Sequence, residues 1–379
     1  MNGRLSFGGA ILALLCVIAW SAAPAGGSFE SATGESIDLV IALDTSGTMR
    51  GLIESTRVKI WEIINDLAQA EPTPRLRVAI LTYGNQAGSR ADGWVRVETD
   101  LTADLDLVSE RLFALKSRGA NEYVGRVIKT ALERLDWSQS ENALKLLFIA
   151  GNESADQDPD VDFREMSEAA REQDILLSAI FCGRPDHADA VSWREMATLA
   201  DGQFVAIDHN VPAAVVPTRF DRDLSELGAL MNETYIPIGK EGKARNKSLA
   251  RQDKNALGLG PAVAATRAIT KASPFYAPEW DLVNSVDADR IDLAVIEDHQ
   301  LPRSMRGMTT EERLLFVNDM REIRAGLRRR IAELSVDRRR AVSDRMAAFG
   351  AEDARSFDQV VRRTIREKAR KRGFHFPED

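Results

Sequence analysis

The stretch 37–43 is apolar except for Asp38, and it runs straight into Asp44-Thr45-Ser46-Gly47-Thr48. A run of this kind, followed by a helical pattern, reads as an inner strand of a parallel sheet. A carboxylate and two hydroxyls then stand at alternate positions in the turn that leaves it. Oxygen donors without thiolates suit a hard cation such as magnesium, manganese or calcium, and the carboxyl end of a strand is where open α/β sheets hold ligands. A second reading of the same residues is that Asp44 and Ser46 cap the next helix.

The pattern continues in alternation. Ile53, Ile60, Ile64 and Leu67 recur at helical spacing before Pro72 and Pro74. Strands are predicted over 76–83, 144–150, 175–181 and 203–207, with a short antiparallel edge strand over 94–98. Helices are predicted over 105–116, 163–173 and 193–200, with another carried by Val124, Ile128, Ala131 and Leu135. Alternating strands and helices imply a mostly parallel sheet with helices on both faces, an α/β, Rossmann-like fold.

Asp44, Ser46 and Thr48, with Gly47 for the tight turn, resemble the Asp-x-Ser-x-Ser/Thr metal-ion-dependent adhesion site (MIDAS) of von Willebrand factor type A (vWA) domains. The resemblance covers residues 36–217 and implies two further ligand loops. One normally supplies a threonine before the third helix; here 118–122 has none, so Asn121 is the positional match and Glu122 the neighbour able to bind a cation. The other normally supplies an aspartate after the fourth core strand, where this chain has Asn152 followed by Glu153. An amide oxygen binds a hard cation but brings no charge, so Glu122 is read as restoring the carboxylate lost at Asn152. The candidate metal ligands are therefore Asp44, Ser46, Thr48, Asn121, Glu122 and Asn152, for a divalent cation, Mg2+ first and Mn2+ or Ca2+ next. In a decayed site the same polar groups would bond one another. The turns 150–153 and 121–123 also resemble, more loosely, a set of exported bacterial proteins with this domain. The family implies a binding protein whose metal receives a carboxylate from a protein partner.

The flanks differ. Arg4, the apolar run 8–20 and Ala23-Pro24-Ala25 read as a signal peptide over 1–25, giving a secreted or periplasmic protein; an uncleaved anchor is the alternative. Of the two cysteines only Cys182 follows it, at the end of an apolar run, as a buried thiol. The segment 218–300 reads as connecting and docking chain, with 240–254 as linker and 262–272 as a short helix. The region 301–379 is helical and basic, with 20 Lys/Arg against 13 Asp/Glu, while the whole chain carries −8. Val317, Met320, Ile323, Leu327, Ile331 and Leu334 suggest a helical hairpin or coiled coil, and the triplets 328–330 and 338–340 a solvated face. Basic helices could meet an anionic envelope surface; export argues against nucleic acid. Asp208-His209 and the acids 156, 158 and 160 are the only hints of catalysis, and the expectation is a non-enzyme, with an envelope scaffold or a metal-dependent hydrolase as alternatives.

Overall fold

Among the described residues six strands form the sheet, in the order β3-β2-β1-β4-β5-β6. They are β1 (Ser36–Asp44), β2 (Arg75–Tyr83), β3 (Arg96–Thr102), β4 (Leu144–Gly151), β5 (Ile175–Cys182) and β6 (Phe204–Ile207). The computed structural model describes residues 36–208, 215–349 and 357–376, so the signal-peptide reading over 1–25 and His209 lie outside the described residues. All pairings are parallel except β2 with the edge strand β3. The vWA-type α/β sheet is therefore present, and its central strand is β1.

Both faces of β1 are covered, which explains its near-continuous apolar run. On one face Val40, Ala42, Leu147 and Ile149 pack under α3 (Val124–Arg134), α4 (Phe163–Glu172) and α5 (Ala190–Leu199). On the other, Leu39, Ile41, Leu43, Leu146 and Phe148 pack under α1 (Arg50–Leu67) and α2 (Leu105–Ala114). The interrupting Asp38 is fully buried and takes a two-pronged bond from Arg77, its register partner on β2, at 2.8 and 2.7 Å.

The chain runs from β1 outward to β2 and β3, then returns to place β4 on the other side of β1. This reversal opens a crevice between the carboxyl ends of β1 and β4, the position at which open sheets bind ligands. Leu43 pairs with Ala150, so Asp44 and Asn152 flank it.

Among the described residues six helices follow: α6 (Asp221–Asn232), α7 (Gly239–Gly258), α8 (Pro261–Ala272), α9 (Leu282–Asp287), α10 (Thr310–Phe349) and α11 (Phe357–Arg370). They belong to the same compact unit as the sheet. Leu224, Leu249, Val263, Ile331, Val361 and Ile365 share one apolar cluster with β1 and α1. None of the helices among the described residues is long and apolar enough to cross a membrane.

Two expectations are corrected. The stretch 240–254, read as a linker, lies inside the 20-residue helix α7. Only Gly242, Leu249, Gln252 and Ala256 of that helix are buried; they fall at helical spacing, but only Leu249 and Ala256 are apolar, so no hydrophobic stripe shows in the sequence. Besides these two it is held by polar contacts, such as Arg245 with Asp104, the cap of α2, at 2.7 Å. The seam read as a helical hairpin or coiled coil contains no hairpin turn, because it lies wholly on one continuous helix of 40 residues, α10. Its inward face carries arginines between the apolar residues: Arg324 pairs with Asp281 and Arg338 with Asp221, at 2.7 and 2.8 Å, while Ile323 is 37% exposed. The triplet 338–340 is thus not one solvated face, since Arg338 points into the core.

Candidate metal centre

Asp44 closes β1 and is fully buried. Its Oδ1 accepts the Ser46 backbone N–H at 2.7 Å and its Oδ2 the Ser46 hydroxyl at 3.2 Å. Thr48 is exposed, its hydroxyl 3.5 Å from that of Ser46. Glu122, in the loop before α3, is 2% exposed and shares a hydrogen bond with Asp44.

The loops are tied to one another. Arg118 N donates to Thr45 O and Ala120 N to Gly84 O, both at 2.9 Å. The Ser117 hydroxyl donates to Ser46 O. Asn85 donates to Thr45 O at 3.2 Å and to Lys116 O at 2.6 Å. Gly84 is the residue this closeness requires. Its φ is +67°, and a Cβ there would stand 2.8 Å from Asp44 Oδ1 and 2.9 Å from Glu122 Cγ. Gly47, read from sequence as the turn's glycine, has open space around its Cβ position and no positive φ.

Two carboxylates this close do not both ionise easily. Burial, then the charge on Asp44, push the Glu122 carboxyl up to about 9. Burial also pushes Asp44 up to about 6, against the lowering effect of its bonds from Glu122 and Ser46. At neutral pH the ion-free pair therefore keeps one proton between them. Beneath the pair lie Tyr83, whose hydroxyl donates to Ala150 O at 2.9 Å, and the free, buried Cys182. Burial raises both well above their usual range, and the thiol is no nucleophile.

Asn152 is half-buried, and its Oδ1 is wholly buried without a hydrogen-bond partner. The next residue, Glu153, is exposed and accepts from Gln157 at 2.6 Å, while its charge raises both site carboxyls. Asn121 turns away: it is exposed, and its amide donates to the Tyr123 hydroxyl at 2.9 Å. Of the six residues singled out, Asp44, Ser46, Thr48 and Glu122 meet, Asn152 offers a spare oxygen, and Asn121 is withdrawn as a ligand. Chain direction decides between the neighbours, since Glu122 takes the inward position and Asn121 cannot share it.

The donor set fits a hard divalent cation. It is all oxygen, with two carboxylates, two hydroxyls and a buried amide oxygen in need of a partner. Among the described residues no three His, Cys, Asp or Glu side chains converge as a richer metal cluster. The acids 156, 158 and 160 are occupied: Arg126 holds Asp158 and Asp160, and Arg164 holds Asp156. They join α3 to α4. Sequence reasoning missed Gly84, Asn85 and Ser117; a Gly-Asn pair straight after a strand was the available signal.

Residues 38–214 match the model of the von Willebrand factor type A domain, and this part of the chain is such a domain. Similar solved structures include proximal thread matrix protein 1 from the mussel byssus, with a zinc-occupied MIDAS motif. It is 12% identical, with 47% of this chain and 43% of that chain covered and a TM-score of 0.37. The SpRpn10 VWA domain is 16% identical over 48% of this chain and 100% of that one, TM-score 0.35. The pilus adhesin SpaC from Lactobacillus rhamnosus GG is 11% identical over 46% and 28%, TM-score 0.35. The chain thus spans less than half of the mussel protein. Comparison with curated proteins gave no match.

Proposed function

We propose that the crevice between β1 and β4 binds one divalent cation and offers it to a carboxylate of a protein partner. The observation that carries this reading is the buried Asp44–Glu122 pair among oxygen-only donors at the sheet's switch point. Asp44 and Glu122 would supply charge, Ser46 and Thr48 hydroxyl oxygens, and Asn152 its unpartnered Oδ1, directly or through water. Once bound, the cation would supply a positive centre for one further carboxylate. Magnesium suits these donors best, with manganese and calcium next.

In this reading the protein is exported on its N-terminal apolar run, and the partner is another exported or surface protein. It is a binding module. Hydrolase turnover that Asp44→Ala abolishes would replace that part of the account. A second contact is with an anionic envelope surface, through the groove of α11, where Arg362, Arg363, Arg366, Arg370 and Lys371 outnumber Asp66 and Glu367. Sedimentation with anionic vesicles that salt does not weaken would remove it.

Calorimetric titration with Mg2+, Mn2+ and Ca2+ tests the central claim. Wild type binds, Asp44→Ala does not, and Asn152→Asp binds more tightly. Equal binding by wild type and Asp44→Ala overturns it. The second reading is an envelope scaffold with a degenerate site, favoured by the fact that the carboxyl pair can satisfy itself with one shared proton. Absence of binding by wild type, with vesicle association insensitive to chelator, would establish that instead.

A further inference from the structure

The chain between β2 and β3 leaves the crevice at Gly84 and reaches Trp94, whose φ is +56°. A bulky side chain in the left-handed region costs about 1–2 kcal/mol, and such strain persists only where neighbours enforce it. Here they do. Trp94 N donates to Ser89 O at 2.8 Å, and a Cβ on Gly88 would meet the Trp94 backbone at 2.8 Å. The half-buried indole stands edge-on to Tyr123, with ring centroids 5.4 Å apart.

Tyr123 follows Glu122 directly and is also half-buried. The Arg126 guanidinium lies 5.8 Å from its ring centre and is pinned in turn by Asp158. A fixed aromatic ledge is thus built on the residue that follows Glu122 in the chain. Also near the crevice are the exposed Arg118, whose N–H is bonded to Thr45 O, and Arg50, which opens α1. Neither has an ion-pair partner among the described residues.

We propose that the ledge selects the partner segment: an acidic stretch with an aromatic residue beside the carboxylate that reaches the ion. This rests on the cation reading above. Neighbouring Cα atoms are about 3.8 Å apart, so a ring next to the liganding acid covers the single-residue step from Glu122 to Tyr123. Edge and face contacts with Trp94 and Tyr123 receive the ring, and Arg118 and Arg50 favour further acids in the segment.

The test titrates the full chain, loaded with Mn2+, with acetyl-Gly-Tyr-Glu-Gly-amide and its Ala-Glu counterpart, and with the Glu-Tyr and Glu-Ala orders. The variant is Trp94→Gly, since glycine is at ease at this φ; urea unfolding checks its fold and a Mn2+ titration its site. Wild type prefers a tyrosine peptide by about three- to ten-fold. Trp94→Gly keeps its Mn2+ affinity and loses the preference. Equal affinities on wild type overturn the proposal whatever the variant does, and so does a preference that survives in Trp94→Gly. Mn2+ binding without ring preference sinks the ledge alone; no Mn2+ binding by wild type sinks the cation reading with it.

Discussion

Glu122→Gln isolates the carboxyl pair from everything else at the site. In the ion-free protein at pH 7 the pair holds one proton, because burial and the neighbouring charge push the Glu122 carboxyl up to about 9 and burial raises that of Asp44. A glutamine has the same shape and still donates to Asp44, so the folded state at pH 7 changes little. The two proteins part as pH rises. In the unfolded chain Glu122 titrates near its ordinary value of 4.5, so between there and about 9 the folded state holds one proton more. Stability from this group is fully present below the lower value and is lost as pH climbs through the upper one. The slope is about 1.4 kcal/mol per pH unit, or about 2–3 kcal/mol between pH 7 and 9.

Urea unfolding in EDTA at half-unit steps from pH 6 to 9 measures this loss. The wild-type curve falls relative to that of Glu122→Gln by about that amount. Saturating Mg2+ flattens the wild-type curve, because the ion takes the deprotonated pair, and leaves the variant's unchanged. Parallel curves in EDTA would refute the shared proton, and with it the closeness of the two carboxyls.

Gly84→Ala forces a Cβ to within 2.8 Å of Asp44 Oδ1 at a φ of +67°, so it lowers stability by about 1–3 kcal/mol and Mn2+ affinity at least tenfold, whereas Gly47→Ala leaves both unchanged. Calorimetry and urea unfolding of the two variants side by side check this, and equal effects would discard the Gly84 argument. Arg324→Ala strands the buried Asp281 carboxylate and costs about 3–5 kcal/mol in chemical denaturation; a loss below about 1 kcal/mol would mean the pair is idle. Deleting 357–379 removes Val361, Ile365 and Phe374 from the cluster around α1, which lowers the melting temperature and raises binding of an apolar dye; an unchanged melt would show that the segment adds nothing.

The sheet was legible because β1, β4 and β5 are buried on both faces and the helices between them have apolar stripes. The first ligand loop was legible for the same reason, since the motif sits where such a strand ends. The rest of the site was not. Asn121 and Glu122 are adjacent, and only the path of the chain into α3 decides which one turns inward. Gly84 matters because of what lies across from it, and that is a tertiary fact. The arginines of α10 mislead in the same way. Arg324 and Arg338 look like surface residues until Asp281 and Asp221, 43 and 117 positions away, meet them. Burial of a charge depends on a partner that local pattern does not name.

The helix α1 links the two halves of the molecule. Its first turn follows Thr48, the last member of the motif. Its far end is fastened to the C-terminal helices by polar contacts. Arg267 of α8 lies 4.7 Å from the centre of the Trp61 ring, Asn65 exchanges bonds with Thr266 and Thr270 at 2.8 Å, and Arg366 of α11 forks onto Asp66. Apolar packing alone would let α1 slide or turn with little penalty, because dispersion has no direction. Charged and forked contacts fix its rotation as well as its distance, since misalignment leaves the buried Asp66 carboxylate without Arg366. The C-terminal helices therefore hold in place the helix into which the Asp44–Thr48 loop leads, although these polar contacts with it lie at its far end.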